Sequence, residues 1–267
     1  MIKLLSAAQN HRPIFVVMAV FTGAILSTLF VRMFSISLAD LRGVFGLDVA
    51  QGSWLNVALN IAQLISMTLV PWFMVVYGAE KILISASFIL FCCGLAVPII
   101  GQQIGFGGLF IAHFMIGFCI GVYLPMTISL ALKSLNPSVW LIVMAAYSLR
   151  VSVGMDAGVG ISGEFVDILN WRWIYWLSAI FTLVILFFTW WGMPLSPINK
   201  SLLAQSDWGG MALKCLGLTL LYIGVVQGEL LGWWDSGLVV SCLIGSAILM
   251  GTFIIRAYIY KQSFGHL

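Results

Sequence analysis

Charged residues are scarce in this chain, and their scarcity excludes most classes of soluble protein. Only 8% of its 267 residues are Asp, Glu, Lys or Arg, whereas 62% are apolar and the mean hydropathy is +1.10. A soluble domain carries about 25% charged residues. The composition therefore excludes a soluble enzyme, a nucleic-acid-binding protein and a disulfide-built secreted module, and it predicts a membrane protein.

The chain also lacks metal-binding and hydrolytic patterns. Its five cysteines lie inside apolar runs, where we expect them to behave as small hydrophobic residues. No ligand spacing typical of zinc or iron–sulfur sites occurs, so the sequence predicts no metal and no cofactor. It has no H-E-x-x-H motif either, which argues against an intramembrane enzyme.

Long apolar runs dominate the chain. A helix needs about 20 apolar residues to cross a bilayer, because each residue advances about 1.5 Å through a layer about 30 Å thick. Eight runs meet this length and predict an all-α, polytopic membrane protein. Its spans lie near 14–37, 52–75, 82–100, 107–130, 139–162, 173–193, 210–228 and 237–256.

The longest polar break separates six of these spans from the last two. We expect a six-helix bundle over 1–193, a cytoplasmic linker over 194–209, and two further transmembrane helices with a short tail over 210–267. Basic residues concentrate in the loops on the side of the amino terminus. Because cytoplasmic loops carry this excess, both termini are predicted to be cytoplasmic.

Four charged or histidine side chains lie within the spans away from their cytoplasmic ends, and a charge costs at least about 2.5–3.5 kcal/mol at the bilayer centre. Arg32, near the outer end of the first span, either reaches the headgroups or takes part in function. His113 either packs as a neutral ring or handles protons. Arg150 either pairs with another helix or shapes a cavity. Asp156, the one carboxylate that we place inside a span, is expected to carry protons or face substrate.

Depth along the helices predicts which of these side chains meet. His113 and Asp156 each lie roughly 9 Å below the outer surface, and Arg32 lies slightly shallower, so either cation can reach the carboxylate. Arg150 points about 240° around the helix from Asp156 and is not expected to pair with it. A carboxylate beside a cation is suited to exchange a proton as its access to water alternates.

Amides and glycines form two further patterns. Asn56, Asn60 and Gln63 line one face of the second span, either for hydrogen bonds between helices or as a cavity wall to which Thr127 adds. Small residues spaced by four let helix backbones approach. We therefore expect the fourth and fifth spans to pack tightly together through the glycine pairs Gly117–Gly121 and Gly154–Gly158, which would bring His113 to Asp156.

Several segments, taken in order over about residues 40–240, resemble the major facilitator superfamily, specifically its 14-helix drug:proton antiporter branch. Residues 43–72 are similar to that branch's first loop and second helix. HFMIGFCIGVYLP (113–125) is similar to its fourth-helix motif, with His113 where an arginine is usual. WRWIYWL (171–177) is similar to its entry into helix six, and DWGG (207–210) to the start of its helix seven. Motif glycines and prolines are retained at Gly117, Gly121, Pro125, Gly154, Gly158 and Gly163.

Two departures from the family pattern affect what the resemblance implies. The loop pattern Gly-x-x-x-Asp-Arg-x-Gly-Arg-Lys keeps only Gly78 and, one place late, Lys81. Phe30 stands where many relatives carry an acid in the first helix. The resemblance then implies that Asp156 supplies the coupling to protons, unless coupling resides elsewhere.

The resemblance implies a transporter of the bacterial inner membrane rather than an enzyme. It implies proton-coupled export of amphipathic, drug-like compounds, with cationic compounds among the candidates. The implied partners are membrane lipid, a small-molecule substrate and protons. Asp156 with His113 would handle protons, and substrate would contact Arg32, Asn56, Asn60, Gln63, Thr127 and Arg150.

Family members carry a second six-helix bundle after the two-helix linker. The chain is therefore expected to act as a partial or truncated transporter: either it is a truncated product, or it pairs with a second chain that supplies the carboxyl-terminal half. The alternative is an inert or regulatory membrane fragment without transport of its own.

Overall fold

The computed structural model describes residues 12–193, 196–204 and 206–259, and within those ranges the chain is helical with no strand. Eight helices there are long and apolar enough to cross a membrane, which confirms the predicted all-α, polytopic class. They are α1 (Pro13–Ile36), α3 (Val49–Tyr77), α4 (Ala79–Ile100), α5 (Gly105–Ser134), α6 (Trp140–Gly163), α7 (Trp173–Gly192), α9 (Trp208–Leu231) and α10 (Gly237–Ile259). The short helices α2 (Leu38–Phe45) and α8 (Lys200–Ala204) lie between them.

Local sequence explains where the second crossing begins and ends. Asp48 and Gln51 form a reciprocal capping box, in which Gln51 N–H donates to Asp48 Oδ1 at 2.7 Å and Asp48 N–H donates to Gln51 Oε1 at 3.2 Å. Gly78 then ends α3 with a φ of +93°, a backbone conformation that side chains with a Cβ disfavour. The retained loop glycine thus separates the second crossing from the third.

The chain forms two compact units divided between Pro197 and Ile198. The first contains the six crossings α1 to α7, and the second contains the hairpin of α9 and α10. Three residues of the predicted linker, 194, 195 and 205, lie outside the described residues, and the linker boundaries stay a prediction.

Polar contacts hold the hairpin of the second unit together. Asp207 caps α9 by accepting from Gly210 N–H at 2.9 Å, and it pairs with Arg256 near the end of α10 at 2.7 Å. The hydrogen bonds from Arg256 hold the pKa of the Asp207 carboxyl below its usual value. Ser246 also donates to the carbonyl of Gly217 across the hairpin at 2.8 Å.

The six crossings of the first unit pack with an internal symmetry. The central helix α1 packs against α5, α6 and α7, and the other central helix α5 packs against α1, α3 and α4, while α4 packs against α7. Exchanging α1 with α5, α3 with α6 and α4 with α7 maps this set of main contacts onto itself. Such a pattern is typical of an internal repeat of three plus three helices.

Candidate functional site

The glycines of the fourth crossing face the second crossing. A Cβ placed on Gly117 would collide with the backbone carbonyl of Leu59, and one on Gly121 would lie 2.6 Å from the carbonyl oxygen of Gln63. Both glycines therefore let α5 lie directly against the backbone of α3. This neighbour is not the fifth crossing that the sequence predicted.

The glycines of the fifth crossing face the first crossing. A Cβ on Gly154 would lie 2.7 Å from Thr28 Cγ2, and one on Gly158 would lie 2.9 Å from Arg32 Cγ. The predicted packing of the fourth and fifth crossings through these glycines is therefore wrong. Glycine spacing gives a helix a smooth face, but it does not specify which neighbour covers that face. Gly163 meets nothing within 4 Å.

His113 lies in the core of the first unit. Its side chain is completely buried, with Nδ1 2.7 Å from the carbonyl oxygen of Leu109 and Nε2 2.9 Å from the hydroxyl of Tyr175. A carbonyl only accepts, so Nδ1 carries the proton and Nε2 accepts from the tyrosine. The ring also packs 4.8 Å from that of Phe34. A neutral His113 thus satisfies both nitrogens while it joins α5, α7 and α1.

Asp156 is exposed on the opposite side of α6 from the glycines that face α1. Its position is about 200° around the helix from Gly154 and Gly158. Within the described part of the chain it makes no hydrogen bond and no ion pair. The predicted meetings of His113 and of Arg32 with Asp156 are therefore wrong, because the three side chains belong to different faces of the bundle.

Asp156 belongs to a line of small and polar residues that the sequence analysis did not single out. Ser148, Ser152, Asp156 and Gly160 recur every four residues and are all exposed, and we call them the polar stripe. Nothing lies within 4 Å of a Cβ placed on Gly160. The four-residue spacing is the signal that could have identified the stripe.

Arg150 faces the first crossing, and it does not pair with Asp156, as the angle between the two residues predicted. Its Nη1 donates to Thr28 Oγ1 at 2.6 Å, and its Nη2 donates to the Tyr147 hydroxyl at 3.1 Å. The guanidinium also lies 4.2 Å from the centre of the Tyr147 ring, a cation–π contact. Thr28 and Tyr147 were missed from sequence. Tyr147 lies three residues before Arg150, a helical spacing that could have identified it, whereas nothing in the pattern places Thr28 beside a cation.

Arg32 lies one helical turn beyond Thr28 on α1 and is half-buried. Its aliphatic stem packs against Gly158, and its Nε is buried. Among the described residues it donates no hydrogen bond. The buried Nε of Arg150 likewise has no partner there.

The amides of α3 make short-range and interhelical hydrogen bonds. Asn60 Nδ2 donates to the backbone carbonyl of Asn56 at 2.8 Å and to its side-chain oxygen at 3.0 Å. Gln63 Nε2 donates to Ser27 Oγ on α1 at 3.2 Å. All three amides remain half-buried. Gln63 therefore forms the hydrogen bond between helices that was one of the two predicted alternatives. Asn56 and Asn60 instead bond to each other within α3.

Thr127 is completely buried, in contrast to these amides. Its hydroxyl lies 2.8 Å from the carbonyl of Val20 and 2.7 Å from that of Tyr123. The side chain thus fastens α5 to α1. It lines no open wall, contrary to the cavity role expected from sequence.

The loop between the second and third crossings is held by contacts that differ from those of the family pattern. Lys81 Nζ donates to the carbonyl of Ser196 at 2.6 Å, and buried Glu80 accepts from the N–H of Ser196 at 2.5 Å. Any Cβ on Gly78 would lie 2.6 Å from Glu80 Oε1. Pro125 is accommodated inside α5, which continues to Ser134.

Comparisons with known proteins agree with this architecture. The sequence profile of the Major Facilitator Superfamily matches residues 20–266. Fatty acid resistance protein FarB of Neisseria gonorrhoeae is 21% identical over 225 residues, which are 83% of this chain and 43% of that protein. Multidrug export protein EmrB of Haemophilus influenzae is 21% identical over 226 residues, which are 83% of this chain and 42% of that protein.

Solved structures show the same fold. A D-xylose-proton symporter covers 94% of this chain, and the chain covers 69% of the symporter, with a TM-score of 0.57 and 13% sequence identity. The chain spans less than half the length of the curated relatives that it matches. The profile match over most of the chain, the eight crossings and the shared fold show together that this multi-pass membrane protein belongs to the major facilitator superfamily.

Proposed function

We propose that the chain forms one six-helix half of a proton-coupled exporter of amphipathic compounds. Membership of a transporter family supports transport, and the names of FarB and EmrB, which refer to fatty acid resistance and multidrug export, favour export. We place the protein in a bacterial inner membrane with both termini cytoplasmic, because basic residues concentrate in the loops on that side.

The exposed polar stripe is the observation that carries this proposal. A carboxylate that faces lipid costs about 2.5–3.5 kcal/mol at the bilayer centre and less toward the surface, and acids within spans almost always face a protein interior or water. Asp156 is therefore expected to face water or another protein surface. Only 11% of the most apolar stretch of the fifth crossing is buried, which leaves that face free for such a surface. Carriers place their sites between two repeats near the midplane. The stripe is therefore suited to line a cavity completed by a second six-helix half.

Asp156 is the proposed proton carrier. Asp156 is exposed on α6, where a second half would face it. As the two halves move, the carboxylate would gain access to water from one side of the membrane and then from the other. The sequence predicted His113 as the partner of Asp156 in handling protons. The His113 ring is buried and hydrogen-bonded at both nitrogens, which supports a role in joining three helices instead. The proposed substrate contacts are the half-buried side chains Arg32, Asn56, Asn60, Gln63 and Arg150.

Export of two fluorescent amphipathic compounds, cationic ethidium and anionic 1-anilinonaphthalene-8-sulfonate, from bacterial cells that lack their own exporters tests this proposal. The chain is expressed alone and together with the carboxyl-terminal half of EmrB. We expect export only from the pair, and Asp156→Asn should abolish it because the amide cannot exchange a proton. Asp235→Asn, a matched change in the loop of the second unit, should leave export intact.

Two outcomes would contradict the proposal. Unchanged export by Asp156→Asn would exclude that residue as the proton carrier. Absence of export from both the chain and the pair, despite normal membrane levels, would favour the alternative of an inert or regulatory membrane fragment.

A further inference from the structure

We propose that Arg32 and Arg150 form a carboxylate-binding pair between α1 and α6, and that the preferred substrates are amphiphiles with a negatively charged head. The inference rests on the proposed function and names the substrate class of the same site. The proposed anionic substrates differ from the cationic compounds that the family resemblance implies as candidates.

Two glycine contacts set the two arginines in register. Gly154 faces Thr28 and Gly158 faces Arg32, so α1 and α6 run side by side in the same direction. Arg150, one turn before Gly154, reaches Thr28 with its guanidinium. Arg32 stands one turn after Thr28, and Arg150 stands one turn before the glycine that faces Thr28. The backbone positions of the two arginines therefore lie on either side of Thr28 along one interface.

Both guanidiniums retain unused donors. Each carries five N–H groups, of which Arg150 uses two in the contacts with Thr28 and Tyr147. Arg32 uses none within the described residues, and the Nε atoms of both are buried without a partner. Unpaired buried donors are costly, and the planar fork of a guanidinium matches the two oxygens of a carboxylate.

No acid whose side chain the structure describes forms an ion pair with either arginine. Glu80 lies in the first turn of α4, where it binds Ser196, and Asp156 lies on the other face of α6. The remaining acids of the first unit with described side chains, Asp40, Asp48 and Glu164, are exposed. The α1–α6 interface thus carries two positive charges in an apolar surround. It favours a ligand with an oxyanion head and an apolar tail, and it disfavours a cationic head.

Binding of three probes with the same twelve-carbon tail tests the pair. The purified full chain is placed in nanodiscs of zwitterionic lipid, and retention of radiolabelled dodecanoate, dodecanol and dodecyltrimethylammonium is measured. We expect dodecanoate to bind at least about tenfold more tightly than the other two, because charge-assisted hydrogen bonds form only with its head. Arg32→Gln and Arg150→Gln should each abolish most of this preference.

Controls separate the pair from general charge and from folding. Lys133→Gln, an exposed change in the last turn of α5, should leave the preference unchanged. Arg32→Gln removes no hydrogen bond of the described chain, so it is expected to fold even if Arg150→Gln does not, and its size-exclusion profile checks this.

Three results would overturn the proposal. Equal binding of dodecanoate and dodecanol would exclude the pair as a carboxylate site, and so would a preference that both Gln variants retain. Dodecanoate binding seen only in phosphate-free maltoside micelles would assign the pair to a lipid phosphate instead of a substrate. Export of either fluorescent compound that persists alongside any of these results would leave the proposed function standing.

Discussion

The fourth and fifth crossings carry the same glycine spacing but have different surroundings. In the most apolar stretch of α5, 56% of residues are buried, compared with 11% for the fifth crossing. The glycines of α5 meet backbone atoms of α3, whereas those of α6 meet side chains of α1. The motif thus marks a close approach in both crossings, but the unit covers a much larger part of α5 than of α6. The open side of α6 carries the polar stripe.

The largest effect is expected from filling the backbone contact of α5. Gly117→Ala places a methyl group against the carbonyl of Leu59, which cannot move without displacing α3. We expect a loss of stability of about 3 kcal/mol, the upper end of the usual range for overpacked core sites. Thermal unfolding followed by fluorescence-detected size exclusion measures it. Gly107→Ala in the same helix meets nothing within 4 Å and should be neutral or slightly stabilising. Equal losses of stability for the two variants would contradict the close contact between Gly117 and Leu59.

Accessibility of the two crossings is expected to differ by at least about tenfold in thiol-labelling rate, because a buried side chain reacts only through local opening. In a background without native cysteines, Ser152→Cys on α6 should react with a water-soluble reagent, whereas Thr127→Cys on α5 should not. The Ser152→Cys reaction should persist when a second six-helix half is added, because the proposed cavity gives the polar stripe access to water. Rapid labelling at Thr127→Cys would show that α5 is not enclosed.

A glycine series within α6 is expected to give a graded and smaller effect. Gly154→Ala meets the stiff, β-branched Thr28 and should cost about 1–2 kcal/mol, while Gly158→Ala meets the movable stem of Arg32 and should cost less. Gly160→Ala, on the polar stripe, should cost nothing. Unfolding midpoints of the three variants provide the order. A Gly160 variant that unfolds first would mean that the stripe, and not the opposite face, is packed.

The smallest effect is expected from hydroxyl groups. Thr127→Val removes a buried hydroxyl that contacts α1 and should cost about 0.6–1 kcal/mol, the usual value for interhelical hydrogen bonds in membranes. Ser152→Ala removes an exposed hydroxyl of α6 and should leave the midpoint unchanged. The difference between the thermal unfolding midpoints of these two variants tests whether α5 is more tightly packed than α6. A larger loss of stability for Ser152→Ala than for Thr127→Val would contradict that comparison.

Some features of the fold could be predicted from local sequence with little ambiguity. Hydropathy over about 20 residues identified the eight crossings, because the energetic cost of unsatisfied backbone groups in lipid leaves a helix as the only solution for such a run. The angle between Arg150 and Asp156 was also predictable, since it depends on helix geometry alone. The arginine indeed contacts Thr28 and Tyr147 and not the aspartate.

The partners of the site residues were not predictable in the same way. His113 and Asp156 were placed at the same depth, but depth along the membrane gives no information on the direction in which a side chain faces. The tertiary structure turned His113 toward Tyr175 and left Asp156 on the open face of α6. Thr127 was likewise expected at a cavity wall, and it is buried because α1 supplies a carbonyl for its hydroxyl.

The sequence by itself determined the number of crossings, the helix class and the family, since each follows from composition, run length or motif order along one chain. Only the tertiary structure decided that α5 lies on α3 and that α6 lies on α1, because a smooth glycine face accepts any helix of matching shape. That choice of neighbours fixes which polar side chains are enclosed and which remain open on the polar stripe.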